Sequence, residues 1–392
     1  MSEEKLVPKL RFSGFDDEWE YKKLSDISII NPKTKDLPNE FIYIDLDSVE
    51  HGILTKTNKI CIDNAPSRAQ RYLEVGDILF QMVRPYQMNN LYFDYDDDYY
   101  VASTGYAQIK SKINSKFLYH YLHYSKFVDS VLKRCTGTSY PAINANDLKS
   151  IKIKIPLDFK EQMLIGNIFD KFDQKIKLLE KKHQSYIDFK KYLMQQIFTQ
   201  KLRFDFTYEW DKYLLGDISI ISKGFTPSTS NPDYWDGNLK WLSIADMNQG
   251  KYINQTTKKI TFEGSKNKEP IKKGTLLMSF KLSIGKLGIL NEDMYTNEAI
   301  CNFQWKNKKI MTEYMYYYLS SINILKYGSQ AAKGITLNNE TLSTIPVLLP
   351  SIEEQNKIID ILSNLDLKIN MLENIIKITS KFKKGLLQQM FV

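Results

Sequence analysis

Cysteine is nearly missing. Three residues, Cys61, Cys135 and Cys301, stand far apart in a chain of 392 and number an odd total. Such usage excludes a disulfide framework and a thiolate zinc site, and it fits a reducing cytoplasm. Long apolar runs are missing too. The chain has no stretch of the roughly 18 or more apolar residues that a membrane span needs, so none is expected. The opening MSEEKLVPKLRF lacks the apolar core of a secretory signal. No Walker phosphate loop, Gly-x-Ser-x-Gly elbow or zinc-finger spacing occurs. No catalytic residue, cofactor or metal is expected. Nor does one sign of charge dominate. The net charge is +8, which permits an acidic partner such as nucleic acid without demanding one. The excess is uneven. Residues 1–158 carry 21 Lys+Arg against 22 Asp+Glu, whereas residues 200–350 carry 19 against 14. If the first region binds DNA, it does so through a local patch.

What is present is enough for packed cores: 43% of residues are apolar and 13% aromatic. The length suits two or three domains. Above all, the chain repeats itself. LMQQIF at 193–198 returns as LLQQMF at 386–391. KLRF at 9–12 returns at 201–204, and LSDISII at 24–30 as LGDISII at 215–221. EVGDILF at 74–80 resembles KKGTLLM at 272–278, and FLYHYLHYS at 117–125 resembles YMYYYLSS at 314–321. IKIPLDFKEQ at 153–162 resembles VLLPSIEEQ at 347–355. The middles, 31–72 and 222–270, share almost nothing. One scaffold with two different inserts is the simplest reading.

Residues 160–198 and 353–391 carry apolar groups at spacings of mostly three and four, with no proline. That is the pattern of long amphipathic helices with coiled-coil periodicity. At ~1.5 Å per residue each is roughly 55–60 Å long. Two apolar stripes in one chain pack on each other, and the connectivity makes the pair antiparallel with one globular domain at each end. By the same pseudo-two-fold symmetry, Lys9 is expected near Val392, making the chain almost a ring. The halves themselves mix strand-like runs, namely FIYIDL (41–46), DILFQMV (77–83), YYVAS (99–103), LKWLSI (239–244) and TLLMSF (275–280), with Tyr-rich helical stretches at Phe117–Lys133 and Thr312–Lys326. The expected fold is α+β: two β-rich domains, 1–158 and 200–350, and two spacer helices, 159–199 and 351–392.

These pieces carry a resemblance. A proline and Glu-Gln mark each helix entrance (Pro156 with Glu161-Gln162, Pro350 with Glu354-Gln355). To these add GDIL (76–79) with Val83-Arg84-Pro85-Tyr86, Ser283-Ile-Gly-Lys286, Thr136 to Asn144, and TPSTSNPDYW (226–235) followed by LKWLSIADM. In that order, duplicated around two helices, the chain resembles the specificity subunit of type I restriction-modification systems over its whole length. The resemblance implies two target-recognition domains, each reading one half of a split double-stranded DNA sequence. It implies two methyltransferase (modification) subunits bound along the helices, and restriction (translocase and nuclease) subunits added to that core. The specificity subunit itself does no chemistry. A spacer of the expected length covers about 16–18 base pairs at ~3.4 Å each, room for two half-sites one turn apart. The acidic segment DYDDDYY (94–100) departs from expectation and reads as a hairpin loop pointing away from DNA.

Other signals weigh less. Asn231-Pro-Asp-Tyr234 resembles an adenine-methyltransferase motif, but Asp233 stands where a second proline belongs, and an Asn-Pro turn with Trp235 packing inward is the better reading. His120 and His123, three apart on a helix, have metal spacing without a carboxylate companion and read as surface or core residues. Major-groove reading calls for Arg, Lys, Asn, Gln, Ser or Thr, and phosphate contacts for Lys, Arg and hydroxyls. In the first half the candidates are Gln81, Arg84, Tyr86, Thr104, Tyr106, Arg134, Thr138, Ser139 and Tyr140. In the second they are Lys223, Thr226, Ser279, Lys281, Ser283, Lys286, Lys333 and Thr336. The competing functions are a coiled-coil scaffold for two protein-binding domains and a stand-alone methyltransferase using the NPDYW stretch.

Overall fold

A computed structural model describes residues 6–34, 36–204, 208–281, 283–331 and 334–392. The chain divides into two compact units, Met1–Glu180 with Asn374–Val392, and Lys181–Glu373. Two long helices, Phe159–Phe198 and Ile352–Met390, are cut by this division. Each unit therefore holds one globular part, the entrance of the helix that leaves it, and the tail of the other helix.

In the first unit, strand Glu20–Lys23 pairs antiparallel with Lys152–Ile155 and so closes the globular part where it opened. A short turn of helix, Leu24–Ile27, follows. The Asp26 carboxylate accepts from the Lys23 backbone N–H, and Ser28 Oγ donates to the Leu24 carbonyl. One four-stranded sheet runs Ser28–Ile30, Tyr106–Ser111, Ile78–Gln81, Leu91–Tyr92. A second runs Lys59–Cys61, Glu40–Ile44, Tyr100–Ser103, Ala69–Tyr72. The second unit repeats the frame. Strand Asp211–Leu214 pairs with Pro346–Leu349. Asp217 accepts from the Leu214 N–H, and Ser219 Oγ donates to the Leu215 carbonyl. A five-stranded sheet runs Ser219–Lys223, Ile300–Trp305, Leu276–Ser279, Leu287–Leu290, Tyr252–Ile253, beside a three-stranded one of Lys258–Ile260, Trp235–Leu242 and Tyr295–Thr296. The turn before the central strand is the same in both units: Gly76 and Gly274 both sit at positive φ, +94° and +82°, where a side chain would strain the backbone.

The single helix expected at Phe117–Lys133 is two helices, Ser115–Tyr121 and Ser125–Leu132. Between them the His123 and Tyr124 N–H groups bond three residues back, and Tyr124 is extended, which ends one helix and starts the next. Likewise Thr312–Lys326 is a helix, Thr312–Ser321, followed by a 3₁₀ turn, Ile324–Tyr327.

The Glu-Gln pair at each helix entrance has a definite task. Glu161, 1% exposed, accepts two hydrogen bonds from Arg11 (2.8 and 2.9 Å) and one from Trp19 Nε1 (3.3 Å). Glu354 takes the same bidentate grip from Arg203, at 3.4 and 3.0 Å. Gln162 donates to the Pro156 carbonyl and accepts from the Asn114 N–H; Gln355 donates to the Pro350 carbonyl and accepts from the Met311 N–H. The repeated KLRF thus supplies the arginine, and the repeated Glu-Gln locks each helix to the domain it leaves.

The helix tails complete each core. In the first unit Leu386, Leu387, Met390 and Phe391 join Trp19, Phe117, Ile165 and Phe169, with Phe169 and Phe391 stacked at 5.7 Å. In the second, Leu193, Met194, Ile197 and Phe198 join Trp210, Tyr314, Ile358 and Leu362. Within each unit the helix segments run antiparallel: Lys383 pairs with Asp173, and Lys190 with Asp366. The Leu10 N–H donates to the Gln389 carbonyl (2.9 Å), and the Leu202 N–H to the Gln196 carbonyl (3.1 Å). These are one bond made twice, so the segment after Lys9 does reach the tail that ends in Val392.

A polar cluster links each domain to its helix, with a change of sign between copies. In the first unit Lys116 pairs with Asp170 (2.8 Å), and buried His120 faces Asp173 at 3.7 Å. In the second unit Glu313 stands where Lys116 does, Ser363 where Asp170 does, and Tyr317 where His120 does. Tyr317 donates to Asp366 (2.6 Å), and Lys251 from the divergent insert reaches Tyr317 and Ser363.

Candidate nucleic-acid interface

Three loops meet in the first unit. The chain leaves strand Ile78–Gln81 and bridges Val83 to Ala142. Thr136 and Ala142 exchange both backbone hydrogen bonds, so residues 137–141 form a closed loop, with Gly137 at φ +88°. The Arg84 N–H donates to the Pro141 carbonyl (2.7 Å), and the Met82 N–H to the Gly105 carbonyl (3.0 Å). Arg84 itself is left-handed, φ +53°, and opens the 3₁₀ turn Pro85–Gln87. Its guanidinium lies over the ring of Tyr140, 4.6 Å from the centroid. That contact holds a cation against an exposed aromatic face.

Of the first-half candidates, Arg84, Tyr86, Thr104, Thr138, Ser139 and Tyr140 belong to this meeting of loops, and Tyr86 and Tyr140 are well exposed. Arg134 is exposed at the end of the preceding helix, where it donates to the Ser130 carbonyl. Two candidates need correction. Tyr106 is fully buried in an apolar core, because its strand is buried on both faces there, and burial pushes its phenol well above the usual range. Gln81 is 2% exposed and committed: its amide donates to Gln87 and its carbonyl accepts from the Asn89 N–H. It shapes the loop.

Beside these loops lies a cleft of about 600 Å³. Its lining includes Arg68 and Arg84 together with the carboxylates Asp45, Asp47 and Glu50. Arg68 was not among the sequence candidates. Its signal was modest, an arginine following Pro66-Ser67 before a strand, and the Arg68 carbonyl accepts from the Thr104 N–H. Asp47 and Glu50 were not among the candidates either, which were drawn from basic, amide, hydroxyl and tyrosine side chains. The acidic segment 94–100 is tied elsewhere: Asp98 pairs with Lys59 and Asp97 accepts from Tyr100.

In the second unit, strand ends gather Lys223, Thr226 and the Ser279–Lys286 hairpin. The Gly224 N–H donates to the Ile300 carbonyl, and the Phe280 N–H to the Ala299 carbonyl. Lys223 and Lys281 are exposed. Lys286 donates to Asn248 Oδ1 (2.8 Å), Ser283 is half-buried, and Thr226 donates to Glu298. Ser279 needs the same correction as Tyr106. It is fully buried, donating to the Ser283 carbonyl and accepting from the Lys286 N–H, so it braces the hairpin. Thr336 ends strand Gly334–Thr336, paired with Ser329–Ala331. Lys333 lies outside the described residues. The NPDY stretch is a turn: Asn231 Oδ1 accepts from the Asp233 N–H, and Trp235 packs edge-on against Trp241 at 5.1 Å.

Comparison with known proteins follows the duplication. The model of the type I restriction modification DNA specificity domain matches residues 16–185 and again residues 208–380. The type I restriction enzyme MjaIX specificity subunit of Methanocaldococcus jannaschii is 31% identical over 42% of this chain, a match that spans only 39% of that relative. The HindI specificity subunit of Haemophilus influenzae is 23% identical over 86% of this chain and 90% of its own length. Two solved structures share the fold. The S subunit of the type I restriction-modification system of M. genitalium covers 98% of this chain and 99% of its own, at 14% identity and a TM-score of 0.62. A chain solved in work on assembly and conformational transition of the type I R-M system covers 95% and 96%, at 20% identity and a TM-score of 0.61. No helix among the described residues is long and apolar enough to cross a membrane.

Proposed function

The chain belongs to the type I restriction modification DNA specificity family, and we propose how it serves as the DNA-reading subunit of such a complex. It is a recognition component without chemistry of its own. Each copy of the domain reads one half of a bipartite double-stranded target. The long helices set the gap between half-sites and dock two methyltransferase subunits, to which restriction subunits are added. The complex works in the cytoplasm, where its DNA is.

The observation that carries this reading is duplication with divergence. The frame agrees between copies down to single hydrogen bonds: Arg11–Glu161 and Arg203–Glu354, Leu10–Gln389 and Leu202–Gln196. The inserts at 31–72 and 222–270 share almost nothing. A constant frame suits identical partners, and variable inserts suit different half-sites. The test is a base-resolution map of adenine methylation in cells carrying this chain with its methyltransferase, against cells lacking the chain. A split motif that vanishes with the chain supports the reading. If no motif depends on the chain although the methyltransferase is active, the scaffold reading replaces it.

A further inference from the structure

The cleft of the first unit holds charges of both signs that leave one another alone. Arg68, Arg84, Asp47 and Glu50 all line it, and none of the four enters an ion pair or a side-chain hydrogen bond among the described residues. Asp45 is partly used, by Ser48 Oγ and the Asp47 N–H. With two arginines against three carboxylates, the lining has a net charge of −1. That balance is not the excess of positive charge that phosphate contacts rest on. A group that suits such a lining offers acceptors to guanidinium and donors to carboxylate at once.

The major-groove edge of a C·G pair does this. Guanine presents N7 and O6 as two acceptors, which arginine reads in bidentate fashion, and cytosine presents an N4 amino donor, which a carboxylate accepts. An A·T pair offers one donor between separated acceptors, with a methyl group that a carboxylate does not match. The reading arginine is also preset. The left-handed conformation and the bond to the Pro141 carbonyl fix the Arg84 backbone, and the Tyr140 ring gives its guanidinium a resting face, so part of its side-chain freedom is already spent.

Resting on the DNA-reading role proposed above, we infer that this cleft reads a C·G base pair in the half-site of the first unit, Arg68 and Arg84 on guanine and Asp47 or Glu50 on cytosine. The carboxylates favour base edges over the DNA backbone. This accounts for a reading domain whose overall charge is not basic: its recognition is by edge matching, and the phosphate contacts are left to residues outside the cleft.

The test uses the full chain in complex with its methyltransferase. First, the chain-dependent motif is mapped; its absence overturns the DNA-reading role itself. With the motif in hand, Arg68→Ala, Arg84→Ala, Asp47→Asn and Glu50→Gln are compared, with Lys212→Ala, on the exposed strand Asp211–Leu214, as a control in the other unit. The expected result is that an arginine variant and a carboxylate variant relax the same C·G position, by about 5- to 150-fold in preference over other pairs. Duplexes carrying 7-deazaguanine at that position should bind the native complex more weakly and the arginine variant equally. Arg84→Lys, which keeps the charge and loses the fork, should retain only part of the preference for C·G, between the native chain and Arg84→Ala. Should a variant give no methylation, duplex competition with the purified complex decides between lost folding and lost reading. A motif without C·G in the responding half-site, or arginine and carboxylate variants that relax different positions, overturns the inference.

Discussion

Glu161 is buried with both oxygens filled by one guanidinium, and such a carboxylate is costly to strand. Removing Arg11 leaves the charge buried and unpaired, so Arg11→Ala should destabilise the first unit by about 3–5 kcal/mol. Thermal melts check this, and the double change Arg11→Met with Glu161→Leu should recover much of the loss. His120 supplies a second prediction. Burial, then the nearby Lys383 charge, hold its imidazole well below its ordinary value, and neither ring nitrogen has a hydrogen-bond partner. A native pKa below the unfolded one means the unfolded chain binds the extra proton. The stability that neutral His120 contributes is therefore present above about pH 6.5 and is lost as pH falls below it. His120→Tyr, which copies Tyr317 of the other unit, should flatten this loss. Hydrogen exchange of first-unit peptides across pH 7 to 5 reads it, and an unchanged pH profile in that variant would refute the assignment. The sequence marks His120 as a structural residue of a helix, at the surface or in the core, and leaves that choice to the packing. Its missing partners were not legible there, because they depend on how Asp173 and Lys383 come to face it.

At the level of elements, the helix entrance is a tight contact. A Cβ on Gly166 would lie 2.8 Å from the backbone nitrogen of Phe117 and 2.9 Å from Asn114 Oδ1. Alanine favours a helix over glycine by about 1 kcal/mol. Here that gain is outweighed, since the clash is with backbone and cannot be relieved by a rotamer. Gly166→Ala should lower the melting temperature while leaving helix content by circular dichroism unchanged; a raised melting temperature would show that the domain yields. The long helices were readable from their apolar period, and five strands from runs such as FIYIDL and TLLMSF that are rich in apolar residues; many of the shorter strands carry no such run. The meeting of loops 83–88, 104–105 and 136–142 was only partly readable. Polar loop residues there stood out, but the Val83–Ala142 bridge joins residues far apart in sequence by backbone alone, and backbone pairing leaves no side-chain signature. Tyr106 and Ser279 sit at strand ends that read as loop edges, but their strands are buried on both faces there, so even a polar side chain at the end lies inside.

For the whole molecule, the duplicated frame makes a modular expectation. Exchanging residues 200–350 for those of a relative should change one half-site of the methylation motif and leave the other intact, as a methylation map would show. A change in both halves would mean that the two copies do not read independently. The sign change in the domain–helix cluster then has a genetic consequence. Lys116 and Asp170 are a matched pair, and Glu313 takes the place of the lysine in the other copy. A crossover between the two repeats that falls after Lys116 but before Asp170 sets Lys116 against Ser363, and its reciprocal product, crossing after Glu313, sets Glu313 against Asp170, two like charges where an ion pair stood. A crossover later in the helix inherits both partners together. Gene shuffling among such repeats should therefore leave viable breakpoints crowded downstream of Asp173 and its counterpart Asp366, and the stretch from the Tyr-rich helix to that aspartate should travel as one block of linkage.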